Sequence, residues 1–241
     1  MNDDPLDTDV LVVVTSRDRV DEDTPTGLWL EEFAVPYGEF LDHGYAVTVA
    51  SPEGGIVPID PRSEPDEEAA ERWEDALARL RDTLELAVID PAEHDAIFLP
   101  GGHGTMFDFP GNRELTELLL AFARDDKPIA AVCHGPAAFV GIERADGRPF
   151  VDGVRMTAFT DAEEREVGLV EEMPFLLESR LREEGAHFVA EENWADHVER
   201  DGRVITGQNP RSSASAAREL ALALQEAKTA RAGGRPRASG W

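Results

Sequence analysis

The sequence predicts an α/β fold, a three-layer sandwich with a mostly parallel central sheet. Three observations carry that expectation. Short aliphatic, β-branched runs alternate with amphipathic stretches along the chain. The first two runs flank a helical stretch in βαβ order, which calls for a parallel crossover. A later run ends abruptly in Cys133-His134-Gly135-Pro136, the pattern of a strand-to-helix nucleophile elbow.

Taken in order, Val10 to Thr15 is a β-branched run, as expected of a central strand covered on both faces. A polar loop spans 16–26, and a helix follows over 27–43 with Trp29, Phe33, Tyr37 and Phe40 at helical spacing. Pro36 should kink that helix, and Gly44 should stop it. Tyr45 to Ala50 reads as the second strand. Residues 51–65 form a loop rich in Pro and Gly, and 66–86 carries Trp73, Leu77, Leu80 and Leu84 at helical spacing, so that 51–90 reads as a helical insertion. Asp95 to Leu99 is a strand that ends in Pro100-Gly101-Gly102-His103-Gly104. A helix over 112–124 and a strand over 128–132 lead into the elbow, and a helix continues from 137 to 141. Strands near 154–157, 187–190 and 204–206, a helix near 173–184 and a last helix over 212–227 complete one domain spanning 9–228. The acidic start, 1–8, and the Gly-, Pro- and Arg-rich end, 229–241, read as tails, the second one disordered.

A length of 241 residues suits one such domain. No stretch is apolar enough to span a membrane, and the acidic N-terminus lacks the features of a signal peptide. The single cysteine excludes an internal disulfide and fits a reducing, cytoplasmic setting. The 50 acidic residues outnumber 23 basic ones, for a net charge of −27. Repulsion on that scale argues against nucleic-acid phosphates as partners. Because the acidic residues are spread through the chain, they read as adaptation to a salt-rich cytosol rather than as an interaction tail.

A lone cysteine is usually a small buried hydrophobe; the residues around Cys133 change that reading. Gly135 allows a sharp turn, and Pro136 suits a first helical turn. A sulfur at the positive end of a helix should have a lowered pKa and react as thiolate. The histidines show no paired metal-ligand spacing, and neither a phosphate-binding loop nor a dinucleotide fingerprint is present. No metal and no cofactor are expected.

Five segments then carry a resemblance: Thr26-Gly27 through Glu32 to Pro36, Leu99 to Gly104, Ala131 to Pro136, Phe159-Thr160-Asp161 with Glu164, and Thr206 to Pro210. Together they make the chain similar to the ThiJ/PfpI superfamily, and within it to the branch of heat-shock chaperones and glyoxalase III proteins. The resemblance implies a flavodoxin-like, glutamine-amidotransferase-like sandwich. It implies that Cys133 is the nucleophile, His134 its catalytic histidine, and Glu164 the acid that orients the histidine, with Asp161 and Glu163 as rivals. It places Glu32, rather than Glu31, beside the sulfur, where burial can keep a carboxyl protonated. Gly101 and Gly102 can present backbone N–H groups to substrate, that of Gly102 forming an oxyanion site with the N–H of His134. His103 is a candidate pocket residue, with Trp194 and Asn209 as weaker ones.

The activity implied is cofactor-independent conversion of a small-molecule aldehyde, a 2-oxoaldehyde such as methylglyoxal, to a 2-hydroxy acid, with repair of glycation adducts as a related possibility. A stress chaperone and a cysteine peptidase or amidase are the alternatives, the last because His197-Val198-Glu199 matches the His-x-Glu pair of amidotransferases. A homodimer is a further expectation from the resemblance, and a low-pKa, exposed thiolate at Cys133 would make it an oxidation sensor.

Overall fold

A computed structural model describes residues 8–232 of the chain. Seven strands form the central sheet in the order β3-β2-β1-β4-β5-β9-β8, where β1 is Asp9–Val13, β2 Ala46–Ser51, β3 Leu84–Glu85, β4 Ala96–Leu99, β5 Ile129–Val132, β8 Val198–Asp201 and β9 Val204–Gly207. All neighbours run parallel except β8, which folds back antiparallel on β9. The central strands are apolar on both faces, and alternation divides them cleanly. Leu11, Val13, Ile97, Leu99, Ile129 and Ala131 enter one core. Val10, Val12, Phe98, Ala130, Val132 and Ile205 enter the other. Helices cover both faces because neither can be left wet.

On the second face lie α1 (Leu30–Asp42) and the long C-terminal α8 (Ser213–Ala232), which pack together over Phe33, Phe40, Ala217 and Leu220. The first face is covered by α5 (Arg113–Arg124) through Leu115, Leu118, Leu119 and Phe122. The shorter helices are α2 (Glu67–Arg72), α3 (Glu74–Arg79), α4 (Thr105–Asp108), α6 (Asp161–Val167) and α7 (Leu177–Glu183). A separate two-stranded sheet pairs β6 (Arg155–Met156) with β7 (His187–Phe188). Among the described residues, no helix is long and apolar enough to cross a membrane.

Several expectations change. The helix expected over 66–86 is two short helices that meet at Trp73, and Leu84 lies in an edge strand. The chain turns there because residues 55–57 take its backbone groups: Val57 donates to the Leu80 carbonyl at 2.9 Å, and Gly55 and Thr83 exchange two bonds of 2.9 Å. The helix after the elbow is only a 3₁₀ turn, Gly135–Phe139. Helix α1 runs through Pro36 without a break. The strand β8 was not foreseen, nor was α6, although Thr160-x-x-Glu163 is a capping-box signature and both reciprocal bonds are formed. Thr8 is buried and accepts a bond from Ala46 N–H, so it belongs to the fold rather than to a tail; the rest of that acidic start lies outside the described residues. The last helix continues through Ala232, past the expected start of the C-terminal tail, and 233–241 lie outside the described residues.

The chain leaves β1 in one direction to β2 and β3, then returns to the other side of β1 with β4. Such reversals open a crevice at the carboxyl ends of parallel strands. The ends of β4 and β5 next to it carry Gly101–His103 and Cys133.

Candidate active site

Cys133 directly follows β5 and has φ 59, a left-handed conformation that costs a residue with a side chain about 1–2 kcal/mol. Neighbours fix it there from both sides. Its N–H donates to the Gly207 carbonyl and its own carbonyl accepts from Phe159 N–H, each at 2.9 Å. The strain turns the sulfur towards the crevice and His134. Nδ1 of His134 lies 3.3 Å from Sγ, and its Nε2 lies 2.7 Å from Oε2 of Glu164. The three side chains expected to act together are therefore in one line.

The rivals of Glu164 are occupied elsewhere. Glu163 is the third residue of the α6 capping box, so its Oε2 is taken by Thr160 N–H and Oγ1 at 3.0 and 2.9 Å. Its Oε1 accepts from Trp194 N–H at 2.8 Å and from Asn209 Nδ2 at 2.9 Å. Asp161 accepts from Ser179 Oγ at 2.5 Å. The capping-box spacing could have settled this choice from sequence, because it commits Glu163 to the helix end and turns its neighbour to another face. Asn209 thus supports the Trp194 loop and does not line the cavity.

Glu32, on the first turn of α1, is fully buried. Its Oε2 accepts the Gly101 N–H at 2.7 Å. Oε1 is buried without a hydrogen-bond partner of standard geometry among the described residues, and the carboxyl as a whole interacts with the Cys133 thiol. Burial raises this carboxyl to about 8, so it holds its proton at neutral pH. Burial also pushes the Cys133 thiol up, and a charged Glu32 pushes it further. The low thiol pKa expected from a helix end is not what this site builds, because burial and then Glu32 push the thiol up. A proton on Glu32 removes the repulsive part.

The glycines divide their work. The N–H of Gly101 is spent on Glu32 and is not offered to substrate, contrary to expectation. Gly102 has φ +105, and a Cβ there would fall 2.3 Å from the Gly27 carbonyl oxygen. Among the described residues the N–H of Gly102 has no acceptor, while that of His134 donates to the Cys133 sulfur. Both residues line the cavity above the sulfur.

That cavity has a volume of about 270 Å³ and is walled mainly by apolar groups of Trp29, Phe159, Val167, Trp194 and Pro210, with His103 and Arg62 as polar members. Trp194 stands on a strained backbone with φ 64, and its indole N–H donates to Glu166 at 2.9 Å. Phe159 lies between Trp194 and the His134 ring, with centroids 5.7 and 4.4 Å away.

His103 is more than a wall. Its Nε2 lies 2.8 Å from Oε1 of Glu164, so the two histidines share one carboxylate, one on each oxygen. Burial would raise Glu164, but the electrostatic pull of His134 and the bonds to both rings hold it well below the usual carboxylate range. His103 itself is pushed down to about 4, by burial first and then by His134. Ligand atoms of His103, His134 and Glu164 lie within 4.8 Å of one another, close enough to hold a metal ion. Linear spacing could not reveal this cluster, since its members come from three separate segments. Arg62 and its partner Asp60 were also invisible in the sequence: they sit in a loop of ordinary surface composition.

A buried cysteine at an elbow, a histidine–carboxylate pair and a protonated glutamic acid thus meet at one cavity of an α/β fold. The chain belongs to the DJ-1/PfpI family, whose model matches residues 26–223. It is 28% identical to Glyoxalase 3 of Candida albicans over 90% of this chain and 98% of that protein. It is 32% identical to the glutathione-independent glyoxalase hsp3101 of Schizosaccharomyces pombe, over 83% of this chain and 88% of that one. It is also 30% identical to the protein/nucleic acid deglycase HchA of Pseudomonas aeruginosa, over 84% and 74%. The crystal structure of the Candida albicans glyoxalase III superposes with a TM-score of 0.82, covering 90% of this chain and 97% of that chain. The Pseudomonas protein's name includes nucleic acid, a partner class that net charge alone had argued against.

Proposed function

We propose that this protein is a glutathione-independent glyoxalase that converts methylglyoxal or a related 2-oxoaldehyde to the 2-hydroxy acid. The observation that carries the reading is a neutral, buried carboxyl (Glu32) against the sulfur of Cys133, opposite a histidine whose free nitrogen faces that sulfur. The names of the Candida and Schizosaccharomyces relatives support it.

The sulfur adds to the aldehyde carbon as Nδ1 of His134 takes the thiol proton, and the new alkoxide is held by the N–H groups of Gly102 and His134. The imidazolium returns its proton to that oxygen, giving a neutral hemithioacetal. His134 then removes the C–H proton of the former aldehyde carbon while Glu32 gives its proton to the adjacent ketone oxygen, forming an enediol. Glu32 takes back the hydroxyl proton of the first carbon, and His134 delivers its proton to the second carbon. The product is a thioester of lactate on Cys133. Water, deprotonated by His134, hydrolyses it and frees the thiol. Glutathione enters at no step because Cys133 supplies the sulfur.

The name of the Pseudomonas relative favours a second reading, removal of the same oxoaldehyde from amine or thiol adducts. The amidase alternative gains no support. The His197 ring lies beside Glu199 at 3.2 Å, neither residue lines the Cys133 cavity, and Glu199 is engaged by Arg155. A homodimer remains part of this proposal, to be tested by light scattering. The decisive assay is lactate formation from methylglyoxal without glutathione, in high-salt buffer, comparing wild type with Cys133→Ala. Turnover that disappears in the variant supports the reading; a folded wild type without turnover sinks it.

A further inference from the structure

We infer that Arg62, clamped by Asp60, fixes the position of the proton on His103 and thereby orients Glu164 and His134, as a positioning residue for the reaction proposed above, on which this inference rests. The argument starts from donor inventory. Nη2 of Arg62 lies 3.0 Å from Nδ1 of His103. A guanidinium only donates, so that ring nitrogen accepts and carries no proton. The proton of the neutral ring therefore sits on Nε2, which faces Oε1 of Glu164 at 2.8 Å. The other tautomer would set an N–H against the guanidinium and a lone pair against the carboxylate, so it is opposed at both ends.

The consequence runs through the carboxylate. Glu164 accepts from His103 on one oxygen and from Nε2 of His134 on the other, at 2.7 Å. With its own proton on Nε2, His134 presents the lone pair of Nδ1 to the sulfur, the tautomer that a base for Cys133 needs. Asp60 keeps the guanidinium in place. It is fully buried at the start of the 3₁₀ turn Pro61–Ser63 and accepts from the backbone N–H of Arg62 at 2.9 Å, Nε at 2.9 Å and Nη2 at 2.6 Å. The charged and titratable groups that face His103 are Arg62 and Asp60 from that turn, Cys133 and His134 from the elbow, and Glu164 from α6.

The test is made on the whole protein labelled with ¹⁵N-histidine, reading the tautomer of His103 by NMR across pH, together with kcat and KM. In wild type His103 is the Nε2–H form, fixed by the guanidinium at one ring nitrogen and the Glu164 carboxylate at the other. In Arg62→Met only the Glu164 end still opposes the other tautomer, so the Nδ1–H form gains detectable population and the ring takes up a proton at higher pH. Its kcat falls roughly tenfold with KM little changed, and the acid limb of the pH profile moves upward. Arg62→Lys, which still donates, recovers part of the loss, and Asp60→Asn falls between. A pure Nε2–H ring in Arg62→Met, or a profile scaled down evenly at every pH, overturns the inference. The NMR reading needs no turnover, so a protein that makes no lactate would refute the glyoxalase reading while leaving this one to be judged by its tautomer.

Discussion

Glu32→Gln is expected to stabilise this protein increasingly as the pH rises, even as it removes activity. Burial raises Glu32 from an ordinary 4.5 to about 8. The folded state therefore keeps a proton that the unfolded chain releases. The stability linked to that proton is complete below the unfolded value and is lost as pH climbs through the folded one. The gap between 4.5 and about 8, at about 1.4 kcal/mol for each pH unit, amounts to roughly 5 kcal/mol once both states are ionised. Glutamine keeps an acceptor for the Gly101 N–H and carries no charge to bury. Between about pH 5.5 and about pH 8.5 the variant should gain about 3 kcal/mol over wild type. Urea unfolding of both proteins at constant ionic strength reads this directly, because other titrating groups largely cancel in the difference. A difference that stays flat across the interval would mean that Glu32 is ionised in the folded protein. The proton donor of the proposed reaction would then be lost.

Other expectations follow from the same geometry. Glu164→Gln removes the anion shared by His103 and His134, and kcat should fall by about 10²–10⁴; a loss under about tenfold contradicts its orienting role. Gly102→Ala sets a Cβ 2.3 Å from the Gly27 carbonyl oxygen at φ +105, and should lower the melting temperature by roughly 5 °C or more. Glu163→Ala leaves the Trp194 N–H and the Asn209 amide without their acceptor, at a cost of about 3 kcal/mol and with a change in tryptophan fluorescence; unchanged stability would show the Trp194 loop to be held by other contacts. Raising KCl from about 0.1 M to about 2 M should raise the melting temperature, since screening relieves the repulsion behind a net charge of −27; a flat response counts against salt adaptation.

What could be read from the sequence was whatever is local. The strands β1, β4 and β5 announce themselves because burial on both faces leaves only apolar residues, and the elbow because Cys-His-Gly-Pro is contiguous. The insertion misled, since the spacing of Trp73, Leu77, Leu80 and Leu84 is the same whether the fourth residue ends a helix or begins an edge strand. Backbone bonds to residues 55–57 decide that point, and they are tertiary. Within the site, Cys133, His134, Glu164 and Glu32 were found because family spacing marks them. The division of labour between Gly101 and Gly102 depends on where one carboxylate oxygen lies, which spacing does not record. Arg62 and Asp60 form a local salt bridge like many on any surface, and only the fold brings His103 against it.

The left-handed backbone at Cys133 bears on how such an enzyme can change over generations. Holding a side chain at φ 59 costs about 1–2 kcal/mol, and burying a small sulfur recovers a similar amount, so the fold is almost indifferent to what stands there. Glycine would relax the backbone and alanine would fill most of the space. Selection for a stable, well-expressed chain therefore does nothing to preserve the proposed nucleophile. Once its substrate ceased to matter, a lineage could lose the sulfur in one step and keep an intact scaffold. Silent copies with this architecture and no chemistry are the expected by-product of a reactive residue that the fold does not require.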